Sequence, residues 1–187
     1  MPTRQHVAIY AGSFDPITLG HLDVLRRARR LFDGIILAIG RNPDKEPMFS
    51  MEERLEVAQV LVQEMLDAEP DGCPVRVKRY SGLTVDFAKR SKASAILRGI
   101  RNITDLATEC QLAITNRQVA DIETVFIVTG EAYAFTSSSL IQQIAALGGD
   151  LDKLKTIVPA LVIERMKLKR DDPKHPLSRL ARDQHIE

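Results

Sequence analysis

The chain has 187 residues, of which 44% are hydrophobic and 27% charged, and its formal net charge is +1. This composition is typical of a globular protein and gives no bulk electrostatic reason to expect binding to nucleic acid or to a membrane surface. The two cysteines fit neither a disulfide framework nor a metal-ligand spacing, and we find no bilayer-spanning apolar run and no N-terminal signal pattern, so we expect a soluble, cytoplasmic protein without nucleic-acid or membrane partners.

Strand-like and helix-like segments alternate along most of the chain. Five segments have the apolar or alternating pattern of strands, the third being typical of an edge strand: 6–11, 34–40, 74–80, 95–97 and 124–129. Seven helical segments are expected: from residue 22, after the capping box that opens at Ser50, over 83–91, over 104–120, from Ser137 to Gly148-Gly149, and in two pieces beyond it, the second opened by Pro159.

This alternation predicts an α/β fold, namely a Rossmann-like, doubly wound, mostly parallel five-stranded sheet with helices on both faces. We expect one domain over residues 1–169 and a polar C-terminal tail over 170–187, which contains two prolines and few apolar residues. In such folds ligands bind beyond the carboxyl ends of the strands.

The most informative motif runs from Gly12 to His21, between the first strand and the first helix. Glycines let the backbone approach a phosphate closely, and the N-terminus of the following helix offers free N–H groups to an anion. His21 would place an imidazole beside that phosphate. The alternative is an ordinary tight loop with a histidine that caps the helix.

Three further motifs follow strands or open a helix. Arg98 and Arg101 flank a glycine directly after a strand and could hold two phosphates, although they could also be surface arginines. The hydroxyls of residues 135–139, with the free N–H groups at the start of a helix, could bind an anion, whereas capping alone would need one serine. Lys45 lies in a polar loop and could clamp a phosphate. In contrast, Arg26, Arg27, Arg29 and Arg30 mostly fall off the apolar stripe and predict a solvated helix face.

Thr18-Leu19-Gly20-His21 matches the (T/H)xGH signature of the nucleotidylyltransferase superfamily, and Ser137-Ser138-Ser139 resembles its second signature. From about Val7 to Pro159 the chain resembles the bacterial phosphopantetheine adenylyltransferases. The motifs that carry this resemblance, in chain order, are residues 10–16, 45–49, 97–101, 109–113 with 116–117, and 135–140.

The resemblance implies transfer of AMP from ATP to 4'-phosphopantetheine, which gives dephospho-coenzyme A and pyrophosphate in coenzyme A biosynthesis. It implies catalytic roles for His21, Lys45 and Arg98 and phosphopantetheine contacts from Ser13, Lys45, Thr84 and Arg98. The implied ATP contacts are Ser13, Phe14, His21, Gly99, Ile100, Arg101, Glu109, Tyr133, Ala134, Phe135, Thr136, Ser137, Ser138 and Ser139. It further implies a homohexamer, feedback by coenzyme A, and Mg²⁺ that bridges nucleotide phosphates and is not held by protein metal ligands.

Two other interpretations stay open from the sequence. A sister nucleotidylyltransferase would use CTP or accept nicotinamide mononucleotide or glycerol phosphate, but the motifs around Lys45 and Arg98 argue against it. A non-catalytic nucleotide-binding module would need the glycine loop, but it would not need His21, Lys45 and Arg98 together.

Overall fold

The computed structural model describes residues 5–43, 46–172 and 175. Its strands are β1 (Val7–Gly12), β2 (Gly34–Ile39), β3 (Val75–Arg79), β4 (Ala95–Ile100) and β5 (Glu123–Val128). Its α-helices are α1 (Leu19–Ala28), α2 (Met51–Ala68), α3 (Thr84–Arg90), α4 (Ile103–Ala120), α5 (Ser138–Ala146) and α6 (Ala160–Asp171). Short 3₁₀ turns span Glu131–Tyr133 and Leu151–Leu154.

The five strands form one sheet in the order β3-β2-β1-β4-β5, and every pair is parallel. The predicted α/β, doubly wound fold is therefore confirmed, and β3 lies at the edge as its alternating pattern predicted. Strands β2 and β3 lie on one side of β1, and strands β4 and β5, which follow them in the chain, lie on its other side. The strand order thus reverses between β1 and β4, which is where such sheets form a ligand crevice at their carboxyl ends.

Both faces of the sheet are buried, as the continuous apolar run of β2 requires. The larger cluster packs β1 and β2 against α1, α2, α5 and α6, with Leu25, Leu37 and Met166 fully buried. The smaller cluster, which includes Ile9, Ile36 and Ile96, packs against α3 and the end of α4. Helices α1 and α5 therefore lie on the same face of the sheet.

Helix α1 begins at Leu19, about one turn before the apolar spacing from Leu22 predicted. The reason is local: the Thr18 hydroxyl caps the helix by accepting the His21 N–H, a contact that apolar periodicity cannot reveal. The prediction of a solvated arginine face is wrong for Arg29. Its guanidinium is buried and donates to the backbone oxygens of Glu69, Pro70 and Cys73, which ties the end of α2 to α1.

Helix α4 differs from its neighbours because, of its 18 residues, Ala120 alone is buried. Apolar side chains along it are exposed, among them Ile103, Leu112, Ile114 and Val119. Helix α6 runs through Asp171, so the first two residues of the predicted tail are helical, and most of that tail lies outside the described residues. None of the helices described is long and apolar enough to cross a membrane.

Candidate active site

A cleft of about 350 Å³ opens at the carboxyl ends of β1 and β4, where the strand order reverses. The loop between β1 and α1, the end of β4, the start of α4, and the segment between β5 and α5 form its walls. Twelve of the predicted site residues line it together: Ser13, Phe14, His21, Arg98, Gly99, Arg101, Glu109, Tyr133, Thr136, Ser137, Ser138 and Ser139.

The β1–α1 loop, residues 13–18, is fixed by a buried carboxylate. Asp15 accepts the backbone N–H groups of Met48 at 2.8 Å and Phe49 at 3.0 Å, both in the loop after β2. The Gln142 amide of α5 donates to the Asp15 backbone oxygen at 2.7 Å and to its carboxylate at 3.1 Å. Burial raises the pKa of Asp15, and the two N–H groups partly oppose that shift. This side chain thus joins three segments around the cleft.

Arg54 fixes the same loop from α2. Its side chain is 5% exposed, and one guanidinium nitrogen donates to the backbone oxygens of Ser13 at 2.8 Å and Gly40 at 3.0 Å. The ends of β1 and β2 are therefore held together by one buried cation. Because arginine offers several N–H groups in a rigid plane, it suits this bridging of carbonyls better than lysine does.

His21 is oriented by the cap of α1. Its Nδ1 accepts the Thr18 backbone N–H at 3.0 Å and lies 2.9 Å from the Thr18 hydroxyl. A backbone N–H can only donate, so Nδ1 carries no proton in the neutral ring and Nε2 carries it instead. The ring also packs edge-on against Phe14, with centroids 5.1 Å apart. The imidazole is therefore held as an N–H donor at the cleft.

The charge state of His21 follows from its surroundings. Burial lowers the pKa of His21 to about 4, and the positive charges of Arg101 and Arg98 act in the same direction. These surroundings keep the ring neutral at physiological pH. A neutral Nε2–H can donate a hydrogen bond to a phosphate oxygen without a prior protonation step.

Each arginine of the Arg98–Arg101 motif is paired with a carboxylate of α4. Arg98 grips both carboxylate oxygens of Glu109, with its Nε at 2.7 Å, and donates to the Ala11 oxygen at 2.8 Å. Burial acts to lower the pKa of Arg98, but Glu109 outweighs it and the pKa is raised. Arg101 binds Asp105 through Nε at 2.7 Å and Nη2 at 2.9 Å, and contacts the Thr136 oxygen. Both guanidinium groups are thereby held at the cleft wall.

Two glycines allow the walls to approach each other. A Cβ at Gly99 would lie 2.9 Å from a methyl of Val24 and 3.4 Å from the Tyr10 hydroxyl, so a side chain there would force Val24 of α1 to shift. A Cβ at Gly20 would lie 3.1 Å from the Cβ of Tyr133, in the segment that leads to α5. The glycines of the two motifs therefore have packing roles at the cleft.

Helix α5 presents its N-terminus to the cleft. Ser137 caps it by accepting the Leu140 N–H, and the Ser138 hydroxyl donates to the Pro16 oxygen at 2.9 Å. Ser138 thus adds a further link to the β1–α1 loop. The remaining N–H groups at the start of the helix form the kind of site that binds anions.

Four of the predicted site residues that the structure describes do not line the cleft. Thr84 begins α3 and bonds the Tyr80 hydroxyl at 2.8 Å, and it does not line the cleft. Ile100 is buried in the sheet, and the side chain of Phe135 is 91% exposed. The residues that line the cleft do not include Ile100, Ala134 or Phe135. Lys45 lies outside the described residues. The catalytic and binding roles of all the predicted site residues stay predictions.

Sequence reasoning missed Arg54, Asp105 and Tyr10 and gave Asp15 no role beyond a turn. One signal was available for Arg54, which falls four residues before Ala58 on the apolar stripe of α2, where an unpaired cation would be costly. Tyr10 lines the cleft although its side chain is buried, and burial raises its pKa. The apolar pattern of β1 masks this residue, because a tyrosine inside a strand is indistinguishable from core.

The strand order, the cleft of about 350 Å³ at its reversal point and the N-terminus of α5 beside it are the features of a nucleotide-binding α/β fold. Residues 9–144 match the model of the cytidylyltransferase-like family. The fold resembles that of Plasmodium falciparum nicotinic acid mononucleotide adenylyltransferase complexed with NaAD, with a TM-score of 0.65 and 18% identity, covering 90% of this chain and 97% of that one.

Curated relatives narrow the class to one family. The chain is 47% identical over 149 residues to a phosphopantetheine adenylyltransferase of Nostoc sp., covering 79% of this chain and 74% of the relative. It is 44% identical over 168 residues to that of Rhodopirellula baltica, covering 89% and 90%. The chain belongs to the phosphopantetheine adenylyltransferase family.

The lowered pKa of His21 predicts an acid-sensitive contribution to stability. Between pH 6.5 and pH 4 the unfolded chain takes up a proton at this residue and the folded chain does not, so stability falls as pH falls. From pH 7 to pH 4.5 the wild type should lose about 2 kcal/mol more unfolding free energy than His21→Ala. Urea unfolding of both proteins without nucleotide measures this difference, and parallel pH profiles would contradict it.

Proposed function

We propose that this protein transfers the adenylyl group of ATP to the phosphate of 4'-phosphopantetheine, giving dephospho-coenzyme A and pyrophosphate in coenzyme A biosynthesis. An oxygen of the acceptor phosphate forms the new bond to the α-phosphorus, and the bond from that phosphorus to the bridging β-oxygen breaks. The observation that carries this proposal is the position of His21: its Nδ1 accepts the Thr18 N–H, which leaves Nε2 as the donor, and its side chain lines the same cleft as Arg98 and Arg101.

The chemistry needs no general base. The acceptor is a phosphate that is already ionised at neutral pH, so the enzyme need only position two anionic substrates and stabilise the charge that develops between them. His21 would donate to an α-phosphate oxygen as that charge grows. A donor that is already neutral and fixed needs no reorganisation when the substrates bind.

The arginines retain capacity for phosphates despite their carboxylate partners. A guanidinium carries five N–H groups, and the contacts described for Arg98 use three of them. The same is true of Arg101. Arg98, with Lys45, would hold the acceptor phosphate against its repulsion from ATP. Arg101 and the N-terminus of α5 would hold the leaving pyrophosphate.

Magnesium would reach the site with the nucleotide. The cleft carboxylates Asp105 and Glu109 are each held by an arginine, which leaves the phosphate oxygens as the natural ligands of a hard cation. When bound, the ion would neutralise phosphate charge and favour departure of pyrophosphate. Loss of activity with EDTA and its return with Mg²⁺ would support this arrangement.

Pyrophosphate release tests the reaction directly. ATP, Mg²⁺ and 4'-phosphopantetheine together should release pyrophosphate, whereas either substrate alone should not. CTP in place of ATP and nicotinamide mononucleotide in place of the acceptor serve as controls. Release with a control pair alone would reassign the substrate within the superfamily, and no release with any pair would favour a non-catalytic nucleotide-binding protein.

Replacing His21 separates catalysis from binding. His21→Ala should lower kcat by about 10²- to 10³-fold, because a fixed donor to the developing charge is lost, with little change in the Kd of ATP. His6→Ala is the matched control, since His6 is exposed and does not line the cleft. Steady-state kinetics and calorimetric ATP titration measure the two effects. A near-normal kcat would remove His21 from this role.

We also propose that the protein assembles as a homohexamer in the cytoplasm and that coenzyme A competes for the same cleft as the substrates. The exposed apolar side chains of α4 support self-association, because a face such as this one is costly to leave in water. Analytical ultracentrifugation should give a six-chain mass. Ile114→Glu, on the exposed face of α4, should lower that mass, and a monomeric wild type would contradict the proposal.

A further inference from the structure

A second recess adjoins the main cleft. It measures about 40 Å³ and lies between the β1–α1 loop, the loop after β2 and the start of α5. It shares Ser13, Ser138 and Ser139 with the main cleft, so the recess and the cleft adjoin at the N-terminus of α5. Arg41, two residues beyond the end of β2, lines this recess.

The arginines that line the cleft and the recess differ in what they bind. Arg98 and Arg101 are each paired with a carboxylate, and Arg54 is occupied by the oxygens of Ser13 and Gly40. Among the residues the structure describes, Arg41 has no hydrogen bond or ion pair and its side chain is exposed to solvent. It is therefore the lining cation whose charge is not already committed within the described chain.

The backbone from which Arg41 extends is held in place. The Gly40 N–H donates to the Gly12 oxygen at 2.9 Å, and Arg54 holds the Gly40 oxygen at 3.0 Å. A Cβ at Gly40 would lie 2.7 Å from the ring of Tyr80, so this position is packed closely on its other side. The flexible part of Arg41 is thus its side chain, which starts from a point fixed relative to the β1–α1 loop.

We propose that Arg41 binds the terminal phosphates of ATP and the pyrophosphate that departs from them, as a positioning and specificity residue for the adenylyl transfer. This inference rests on the proposed function. The triphosphate is strongly anionic, whereas the carboxylates of Asp105 and Glu109 offset the charge of the two arginines on the β4 side. The recess continues from Ser138 and Ser139, where the helix end attracts anions, to the uncommitted guanidinium.

Paired nucleotide titrations test this role. Arg41→Gln should raise the Kd of Mg-ATP about tenfold, the size expected for a lost arginine–phosphate contact, and leave the Kd of AMP within about twofold. Arg41→Lys should recover part of the ATP affinity because it restores the charge. Arg76→Gln is the matched control, since it removes an exposed arginine from β3 that lines neither part of the cleft.

The outcomes separate this inference from the proposed function. Equal weakening of ATP and AMP, no weakening of either, or a raised KM for 4'-phosphopantetheine alone would overturn the role of Arg41. ATP binding is measured without an acceptor, so a wild type that binds ATP but adenylates another phosphate would overturn the proposed function and not this inference. A wild type that binds neither nucleotide would overturn both.

Discussion

The β1–α1 loop must stay in one conformation for the rest of the site to exist, and hydrogen bonds from three sides, buried or partly buried, impose that constraint. Asp15 accepts two backbone N–H groups of the loop after β2. Arg54, in α2, donates to the Ser13 oxygen, and Ser138, in α5, donates to the Pro16 oxygen. Buried polar groups that lose their partners are costly, so these contacts act together to favour a single arrangement. The orientation of His21 depends on this loop, because the residue that caps its helix is the last of the loop.

The electrostatics of the cleft are balanced before any substrate arrives. Two arginines are held by carboxylates of α4, and the histidine between the walls is neutral. The pairs hold each guanidinium in a defined plane, so less side-chain freedom is lost when a phosphate binds. The same positive charges help to lower the pKa of His21, which couples its role as an uncharged donor to their presence. A site built in this way suits a reaction between two anions better than proton abstraction from a neutral group.

Sequence identity shows the family to which this chain belongs, whereas the contacts of the site show how the sequence builds the cleft. Identity near 45% over most of the chain places it in the phosphopantetheine adenylyltransferase family, while the likeness to the Plasmodium enzyme, at 18% identity, concerns the fold alone. The contacts of Asp15, Arg54 and Arg98 explain how this sequence builds a cleft at the reversal point of its sheet. Arg41 is set apart from them because its position is fixed by the backbone while its charge has no partner among the described residues.

The sequence by itself determined the fold class, the strand segments and the motifs from Gly12 to His21 and from Arg98 to Arg101, because these depend on local apolar patterns and on glycine and capping chemistry. Only the tertiary structure decided which polar residues meet. The pairing of Arg98 with Glu109, the bridging by Arg54, the burial of Arg29 and the separation of Thr84 from the cleft all depend on distances between elements far apart in the chain. Periodicity reports which face of a helix is buried, but it carries no information about the group that a buried charge will contact.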